Sequence, residues 1–315
     1  MARLTDIPVV WRSVGPWGFA KRVWREIGDD DLFVWAAAMA YSWLFAVFPF
    51  VIFLMSLLPY LPERAKEAAK GNIQGFVYQS MPKQAADTIW TNVSDILSRP
   101  RKGLLGLGII LTLWGASGGL NMTITALDKC YEVENGRPFY KKRPIAIALT
   151  VVVATLALTL LLLLPIGTIA IRWIEQSGYT YVSRPLVWTW KLSRLPLAVG
   201  LMLITVNVLY YWGPSIKQRY VVLTPGGVFS VGVWLILGFA FRFYADRYGK
   251  FNETYGTVGG VAILLLLFYV DAVVLLIGAE INSEIDYEVL KVPRGSRDFT
   301  GAGARANAEP SSTAG

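Results

Sequence analysis

The sequence predicts an all-α membrane protein, a polytopic bundle of six transmembrane helices with interfacial and external amphipathic helices. Three observations support this fold class: six long apolar runs, a hydrophobic content of 54% and a charged content of only 17%. Soluble domains carry about a quarter charged residues. About 20 apolar helical residues cross a hydrocarbon core roughly 30 Å thick. The predicted spans are about 32–58, 103–127, 144–171, 193–212, 227–244 and 258–279.

These spans predict three regions along the chain. Residues 1–31 form an N-terminal cytoplasmic interfacial segment, residues 32–284 form the transmembrane bundle, and residues 285–315 form a disordered cytoplasmic tail. The tail is predicted because its last part is rich in Gly, Ala, Ser and Arg and poor in apolar residues. Residues 59–102, between the first two spans, form an external segment with helical, amphipathic spacing.

The N-terminal segment has the pattern of an amphipathic helix. One face carries apolar residues with basic residues beside it: Trp17, Ala20, Val23, Trp24 and Ile27, then Lys21, Arg22 and Arg25. This pattern is typical of a helix that lies in the membrane interface and contacts anionic head groups. A short helix packed on the bundle has the same pattern, and both interpretations stay open at this point.

The distribution of positive charge predicts the topology. With six spans both termini lie on one side, and that side carries a modest excess of Lys and Arg. Its strongest marker is the cluster Arg137, Lys141, Lys142 and Arg143. Positive residues favour the cytoplasmic side, so both termini are predicted to be cytoplasmic.

Small residues mark the predicted helix contacts. Gly108, Gly115 and Gly119 share a face of the second span, and Gly278 lies in the last span. Small faces let membrane helices approach closely, so we predict a packing role for these glycines. A passage lined by the glycines of the second span is the alternative.

Three polar residues lie within the predicted spans. Asp271, Asn121 and Asn207 are predicted to line a cavity that opens to the cytoplasm and binds a cation, a proton or a ligand head group. Alternatively, the carboxyl group of Asp271 is protonated and hydrogen-bonds a neighbouring helix. Glu280 and Glu284 are predicted to be hydrated groups at the cytoplasmic end of the last span.

The composition argues against most enzyme chemistry. The chain has no histidine, and Cys130 is its single cysteine. It therefore lacks the usual general base and any Cys-based zinc site, and we predict no enzyme activity, cofactor or metal. Membrane lipids with anionic head groups, rather than nucleic acid, explain the net charge of +8.

Several motifs resemble those of one family. They are Ala36–Tyr41 followed by Phe48 and Pro49, then Leu113–Ser117 with Trp114, then Asp128 and Tyr131, then Tyr255 and Gly256, and finally Gly278–Asn282 with Glu280 and Asn282. Together they resemble the YihY/virulence factor BrkB family, formerly mislabelled ribonuclease BN, from about Asp31 to Glu284. Asp271 departs from the family pattern, which has a small or apolar residue there.

The resemblance implies a multi-pass protein of the bacterial inner membrane with no established activity or catalytic residues. The family has been linked to envelope integrity, serum resistance and lipid export. We therefore favour the hypothesis that the protein is a transporter or flippase-like protein for a lipid or amphiphile. A non-catalytic envelope scaffold is the alternative, and a ribonuclease is the least favoured hypothesis. Substrate, coupling ion, oligomeric state and protein partners do not follow from the sequence.

Overall fold

The computed structural model describes residues 1–57, 63–80, 102–176, 180–248 and 252–300, with isolated positions between 83 and 94. These described ranges contain a short 3-10 helix (Leu4–Asp6) and nine α-helices. The α-helices are α1 (Ile7–Ser13), α2 (Pro16–Asp29), α3 (Leu32–Leu57), α4 (Glu63–Ser80), α5 (Lys102–Cys130), α6 (Phe139–Gln176), α7 (Thr180–Trp212), α8 (Pro225–Tyr248) and α9 (Asn252–Leu290).

Four helices of the described chain are long and apolar enough to cross a membrane. The candidate spans are Leu32–Pro49 in α3, Phe139–Leu160 in α6, Val187–Trp212 in α7 and Gly260–Leu290 in α9. The apolar stretch of α8, Pro225–Phe241, is shorter. The helical membrane fold class is therefore confirmed, whereas the number of six spans stays a prediction. Most of the predicted amphipathic helix before residue 102 lies outside the described residues.

The helices divide into two compact units. The first contains Met1–Phe33, Ile124–Leu235 and the described residues from Val273 onward, and the second contains Val34–Thr123 and Ile236–Ala272. The helices α3, α5, α8 and α9 each contribute residues to both units. In the first unit, α6 packs along α7.

In the second unit, α3 packs closely against α5. The indole Nε1 of Trp43 donates a hydrogen bond to Thr123 Oγ1 at 3.1 Å. A Cβ atom on Gly119 would lie 3.0 Å from Trp43 Cδ1, and one on Gly115 would lie 2.9 Å from Pro49 Cγ. These two glycines thus leave room for bulky groups of α3. The side-chain surroundings of Gly108 lie outside the described part.

In the first unit, α8 and α9 approach each other at two glycines. A Cβ atom on Gly226 would clash with the backbone carbonyl of Gly278. A Cβ atom on Gly278 would in turn clash with Ser230 Oγ and with Tyr210 Oη. The Tyr210 hydroxyl, fully buried, donates a hydrogen bond to the carbonyl of Leu275 at 2.6 Å. Backbone and hydroxyl groups therefore fill the space that a methyl group would need.

The chain beyond α9 differs from the predicted disordered tail. Residues 285–290 continue α9, and the next ten residues fold back on the first unit. The backbone N–H of Lys217 donates to the carbonyl of Arg297 at 2.7 Å. Phe299 is 2% exposed and packs edge-on against Tyr131 and Tyr287. The prediction was wrong for residues 285–300 because one aromatic side chain orders a stretch that is otherwise polar; residues 301–315 lie outside the described part.

We expect Gly278→Ala to destabilise the protein strongly. The new methyl group must displace a backbone carbonyl and two buried hydroxyl groups, and overpacking of this kind costs about 1–3 kcal/mol or more. The matched control is Gly238→Ala in α8, which has no atom within 4 Å of the new Cβ position. The measurement is the thermal unfolding midpoint of each variant in detergent. Equal midpoints for the two variants would contradict the close approach of α8 and α9.

Candidate functional site at the end of α9

The last turns of α9 bury three acidic side chains in the first unit. Glu280 is 1% exposed, Glu284 is 2% exposed and Asp286 is 3% exposed. Glu280 and Glu284 were predicted as hydrated helix-end groups, and this prediction was wrong. The N-terminal helices and the segment after α9 supply groups that contact these carboxylates, which the spacing of α9 alone does not reveal.

Arg294 connects three of the surrounding elements through their carboxylates. Its Nη2 atom lies 2.6 Å from Glu284 Oε1 in α9 and 3.4 Å from Glu26 Oε1 in α2. Its Nη1 atom lies 2.5 Å from Glu132 Oε1, just after α5. Burial opposes the charge of this guanidinium, but the three carboxylates outweigh burial and raise the pKa of Arg294. Arg294 therefore stays charged and holds the segment after α9 against α2 and α5.

A second acidic residue from the N-terminal segment reaches Glu280. Asp30 lies just after α2, is half-buried, and its carboxyl group hydrogen-bonds that of Glu280. Burial, together with the charges of Glu132 and Glu26, raises the pKa of Asp30 to about 6. The hydrogen bond with Glu280 opposes this rise. Two carboxyl groups are therefore in contact where most buried acids have a cationic partner.

A polar cluster of the first unit fixes the start of α8. Asn207 is fully buried, and its amide nitrogen donates to the carbonyls of Leu203 at 2.8 Å and Val222 at 3.0 Å. The Thr224 hydroxyl donates to the side-chain oxygen of Asn207. Asn282 accepts a hydrogen bond from Gly226 N at 2.8 Å and donates one to Thr224 Oγ1 at 3.2 Å. This cluster uses the polar atoms of both asparagines to hold the chain before α8.

A second polar contact fixes the loop after α7. Asp128 is 5% exposed and accepts hydrogen bonds from Ser215 N at 2.5 Å and Ser215 Oγ at 2.9 Å. The guanidinium of Arg137 donates to the carbonyl oxygens of Trp212, Gly213 and Pro214. Burial raises the pKa of Asp128, although the two hydrogen bonds from Ser215 lower it. The family-motif residue Asp128 therefore has a structural partner.

The other predicted site residues lie in the second unit. Asp271 and Asn121 are both half-buried, in α9 and α5 respectively. Asn207 belongs to the first unit, so the predicted cavity would need residues of both units, and it stays a prediction. Of the remaining motif residues, Tyr41 and Trp114 are each 60% exposed. The side-chain surroundings of Tyr255 and Gly256 lie outside the described part.

Two pockets flank the buried carboxylates in the first unit. An open polar pocket of about 580 Å³ is lined by Asp30, Lys129, Glu132, Glu134, Asn135 and Arg294, among others. A smaller apolar pocket of about 300 Å³ is lined by Ile7, Val10, Trp11, Pro16, Phe19, Pro225, Ile281 and Ile285. In the part of the chain that the structure covers, no group of three or more His, Cys, Asp or Glu side chains is placed to hold a metal ion.

Comparison with known proteins places the chain in a family. The sequence profile described as virulence factor BrkB matches residues 23–299, which include the second half of α2, the buried carboxylates of α9 and Phe299. The chain belongs to the virulence factor BrkB family. The match extends beyond the predicted end of the bundle at residue 284, in agreement with the ordered segment after α9.

Several bacterial relatives share this BrkB-type sequence. A ribonuclease-like protein named YfkH from Bacillus subtilis is 31% identical over 248 residues, which cover 79% of this chain and 88% of YfkH. A UPF0761 membrane protein from Xanthomonas campestris is 25% identical over 88% of this chain. One from Stenotrophomonas maltophilia is 22% identical over 85% of this chain. The matched regions span 64% and 60% of those two longer proteins. No solved structure matches the chain.

The residues that sequence reasoning missed share one property. Asp30, Glu132 and Arg294 lie outside the apolar spans, where charged residues are common and carry no distinguishing pattern. The family motif Gly278–Asn282 did point to this end of α9. The residues of the N-terminal helices that contact this end of α9 lie more than 200 residues away in sequence. The ion pair of Arg22 and Glu288, with 3.0 Å between Nη1 and Oε2, is an example.

We expect Arg294→Gln to destabilise the first unit. It leaves the buried Glu284 without its cation, and removal of one partner of a buried pair costs about 3–5 kcal/mol. Since Arg294 is itself 42% exposed on its side chain, we expect the lower part of that range or less. The unfolding midpoint in detergent and protease cleavage after α9 measure the effect.

The control for this experiment is Arg297→Gln, an exposed neighbour for which only backbone contacts are described. The double variant Arg294→Gln with Glu284→Gln should recover part of the loss, because it removes the uncompensated charge. Loss of stability in Arg297→Gln equal to that in Arg294→Gln would show that the three ion pairs of Arg294 are not the cause.

Proposed function

We propose that this BrkB-family membrane protein is a transporter or flippase-like protein for a lipid or amphiphile of the bacterial inner membrane. The observation that supports it best is the apolar pocket between α1, α2, α8 and α9. Binding pockets for small molecules are concave, mostly apolar, and begin at about 300 Å³, the volume of this pocket. The tail of an amphiphile is the ligand that this lining suits.

The surface of α2 beside this pocket suits a lipid head group. Val23 and Ile27 are buried in the first unit, whereas Trp17 is 84% exposed and Trp24 is 72% exposed. Lys21, half-exposed Arg22 and Arg25 lie on the same helix. Tryptophan and basic residues favour the interface between hydrocarbon and anionic head groups. The interfacial helix and the packed helix that the sequence left open are therefore compatible in α2. One of its faces packs on the protein, and the other is exposed and can contact lipid.

This arrangement also supports a cytoplasmic position for both termini. The basic cluster Arg137, Lys141, Lys142 and Arg143 and the helix α2 belong to the same compact unit. Positive residues near span ends favour the cytoplasmic side. We therefore propose that the first unit faces the cytoplasm and that anionic lipids contact its basic surface.

Asp271 is the residue that we propose for the transport step itself. It lies within the candidate span of α9, and no ion pair joins it to a cation among the residues that the structure describes. Acidic groups at such positions are functional candidates because an ionised carboxylate in hydrocarbon is costly. A structural hydrogen bond from its protonated form is the alternative.

A scaffold without transport activity is the second candidate. The observation that favours it is the degree to which Asn207, Asn282 and Asp128 are engaged in contacts within the protein. A ribonuclease is the least favoured function. The name of YfkH suggests it, but the chain has no histidine, and its described residues include no candidate metal group.

We expect the purified protein to move a fluorescent phosphatidylglycerol between the leaflets of liposomes. Ile281→Trp should slow this movement several-fold, because the larger side chain fills the apolar pocket that Ile281 lines. The matched control Leu266→Trp changes an exposed position of the same helix and should retain activity. The fraction of lipid reached by an impermeant reductant is the measurement. Equal values for protein-containing and empty liposomes would overturn the proposal.

We expect Asp271→Asn to abolish lipid movement while the protein still folds and inserts. The substitution keeps the shape of the side chain and its capacity for hydrogen bonds but removes its charge and its proton. Elution as a single species in detergent verifies folding, and the liposome measurement gives the activity. Unchanged lipid movement would assign Asp271 a structural role.

A further inference from the structure

We propose that Asp30 and Glu280 form a proton-binding site, in which the two carboxyl groups share one proton supplied from the open polar pocket. The inference goes beyond the proposed function and holds whether or not the protein moves lipid. It rests on the contact between the two groups, the burial of Glu280 and the position of Asp30 at the pocket.

Glu280 differs from the other buried acids of α9 in its partner. Glu284 pairs with Arg294 at 2.6 Å, and Asp286 pairs with the amino group of Met1 at 3.5 Å. No described cation forms an ion pair with Glu280, which hydrogen-bonds the carboxyl group of Asp30 instead. Its Oε1 atom is buried and receives no hydrogen bond from a described donor, while Ser283 Oγ lies 3.4 Å from Oε2.

A proton is the ligand that completes this contact. An ionised carboxylate is only an acceptor, so two carboxyl groups hydrogen-bond each other only when one of them is protonated. Two ionised carboxylates in contact would also repel each other strongly, and such pairs retain one proton. The proton forms an O–H bond on one carboxyl oxygen and is hydrogen-bonded by the other.

The surrounding charges favour retention of this proton. Asp30 faces the carboxylates of Glu132, after α5, and of Glu26, in α2, and these outweigh the opposing charge of Lys129. Glu280 faces Glu284 on its own helix, whereas the thiol of Cys130 in α5 hydrogen-bonds its carboxyl group and acts against retention of the proton. Burial together with the charges of Glu132 and Glu26 raises the pKa of Asp30 to about 6, although the hydrogen bond with Glu280 opposes this rise.

The site has a route for proton exchange. Asp30 lines the open polar pocket of about 580 Å³, whereas Glu280 is 1% exposed behind it. Protons therefore reach Glu280 by way of Asp30. Because Asp30 precedes α3 and Glu280 belongs to α9, protonation changes a contact between the N-terminal segment and the last helix.

Infrared difference spectroscopy of the full-length protein in lipid nanodiscs, between about pH 5 and pH 8, tests the site. We expect a protonated-carboxyl band that disappears with rising pH, and an S–H stretching band of Cys130 that shifts with the same midpoint. Glu280→Gln and Asp30→Asn should each remove this titration. Asp29→Asn is the matched control, because the Asp29 side chain is 67% exposed and adjacent in sequence.

A second measurement is the pH dependence of stability. The folded protein binds the proton more tightly than the unfolded chain, because the pKa of Asp30 rises from its ordinary value of 3.8 to about 6 on folding. The thermal unfolding midpoint should therefore fall as the pH rises from 3.8 through about 6. Asp30→Asn should reduce this fall, and it covers the case in which Glu280→Gln does not fold. A carboxyl band that persists unchanged in both variants overturns the proposal. A pH midpoint of the carboxyl titration that moves with added Na⁺ or Mg²⁺ overturns it as well, because the pair then binds a metal cation.

Discussion

The structure depends on the constraint that an ionised side chain taken out of water needs a partner inside the protein. The end of α9 buries Glu280, Glu284 and Asp286, so three other parts of the chain are held against it. These are the N-terminal helices, the turn after α5 that carries Glu132, and the segment that carries Arg294. The ordered segment after α9 is thus a consequence of where α9 places its carboxylates.

Close backbone packing makes this arrangement possible. Gly226 and Gly278 let α8 and α9 meet without intervening side chains, and Asn282 then reaches the backbone N–H of Gly226. Membrane helices associate through such packing and through hydrogen bonds, since lipid gives them no hydrophobic drive to associate. The same turns of α9 carry the family motif. Packing and polar contacts therefore lie on one short segment, Gly278–Asn282.

The charged cluster and the surface that we propose to contact lipid both belong to the first unit. Its helix α2 contributes Glu26 and Ile27 to the interior and Trp17 and Trp24 to the surface. Arg22, on that same helix, pairs with Glu288 of α9. A change in the protonation of Asp30, which follows α2 directly, therefore acts on the helix that we propose to contact lipid. This connection gives the proposed amphiphile site and the proposed proton site a common structural element.

The sequence by itself determined the helical membrane class, the packing glycines of the family motif and the absence of histidine chemistry, because these follow from local composition and helical spacing. It also pointed to the end of α9 through the family motif Gly278–Asn282. Only the tertiary structure decided that Glu280 and Glu284 are buried, that Asp30 contacts Glu280, and that Phe299 orders the chain after α9. The physical reason is that burial and pairing depend on which distant segments meet, and a charged residue in a connecting segment carries no trace of its partner in the local pattern.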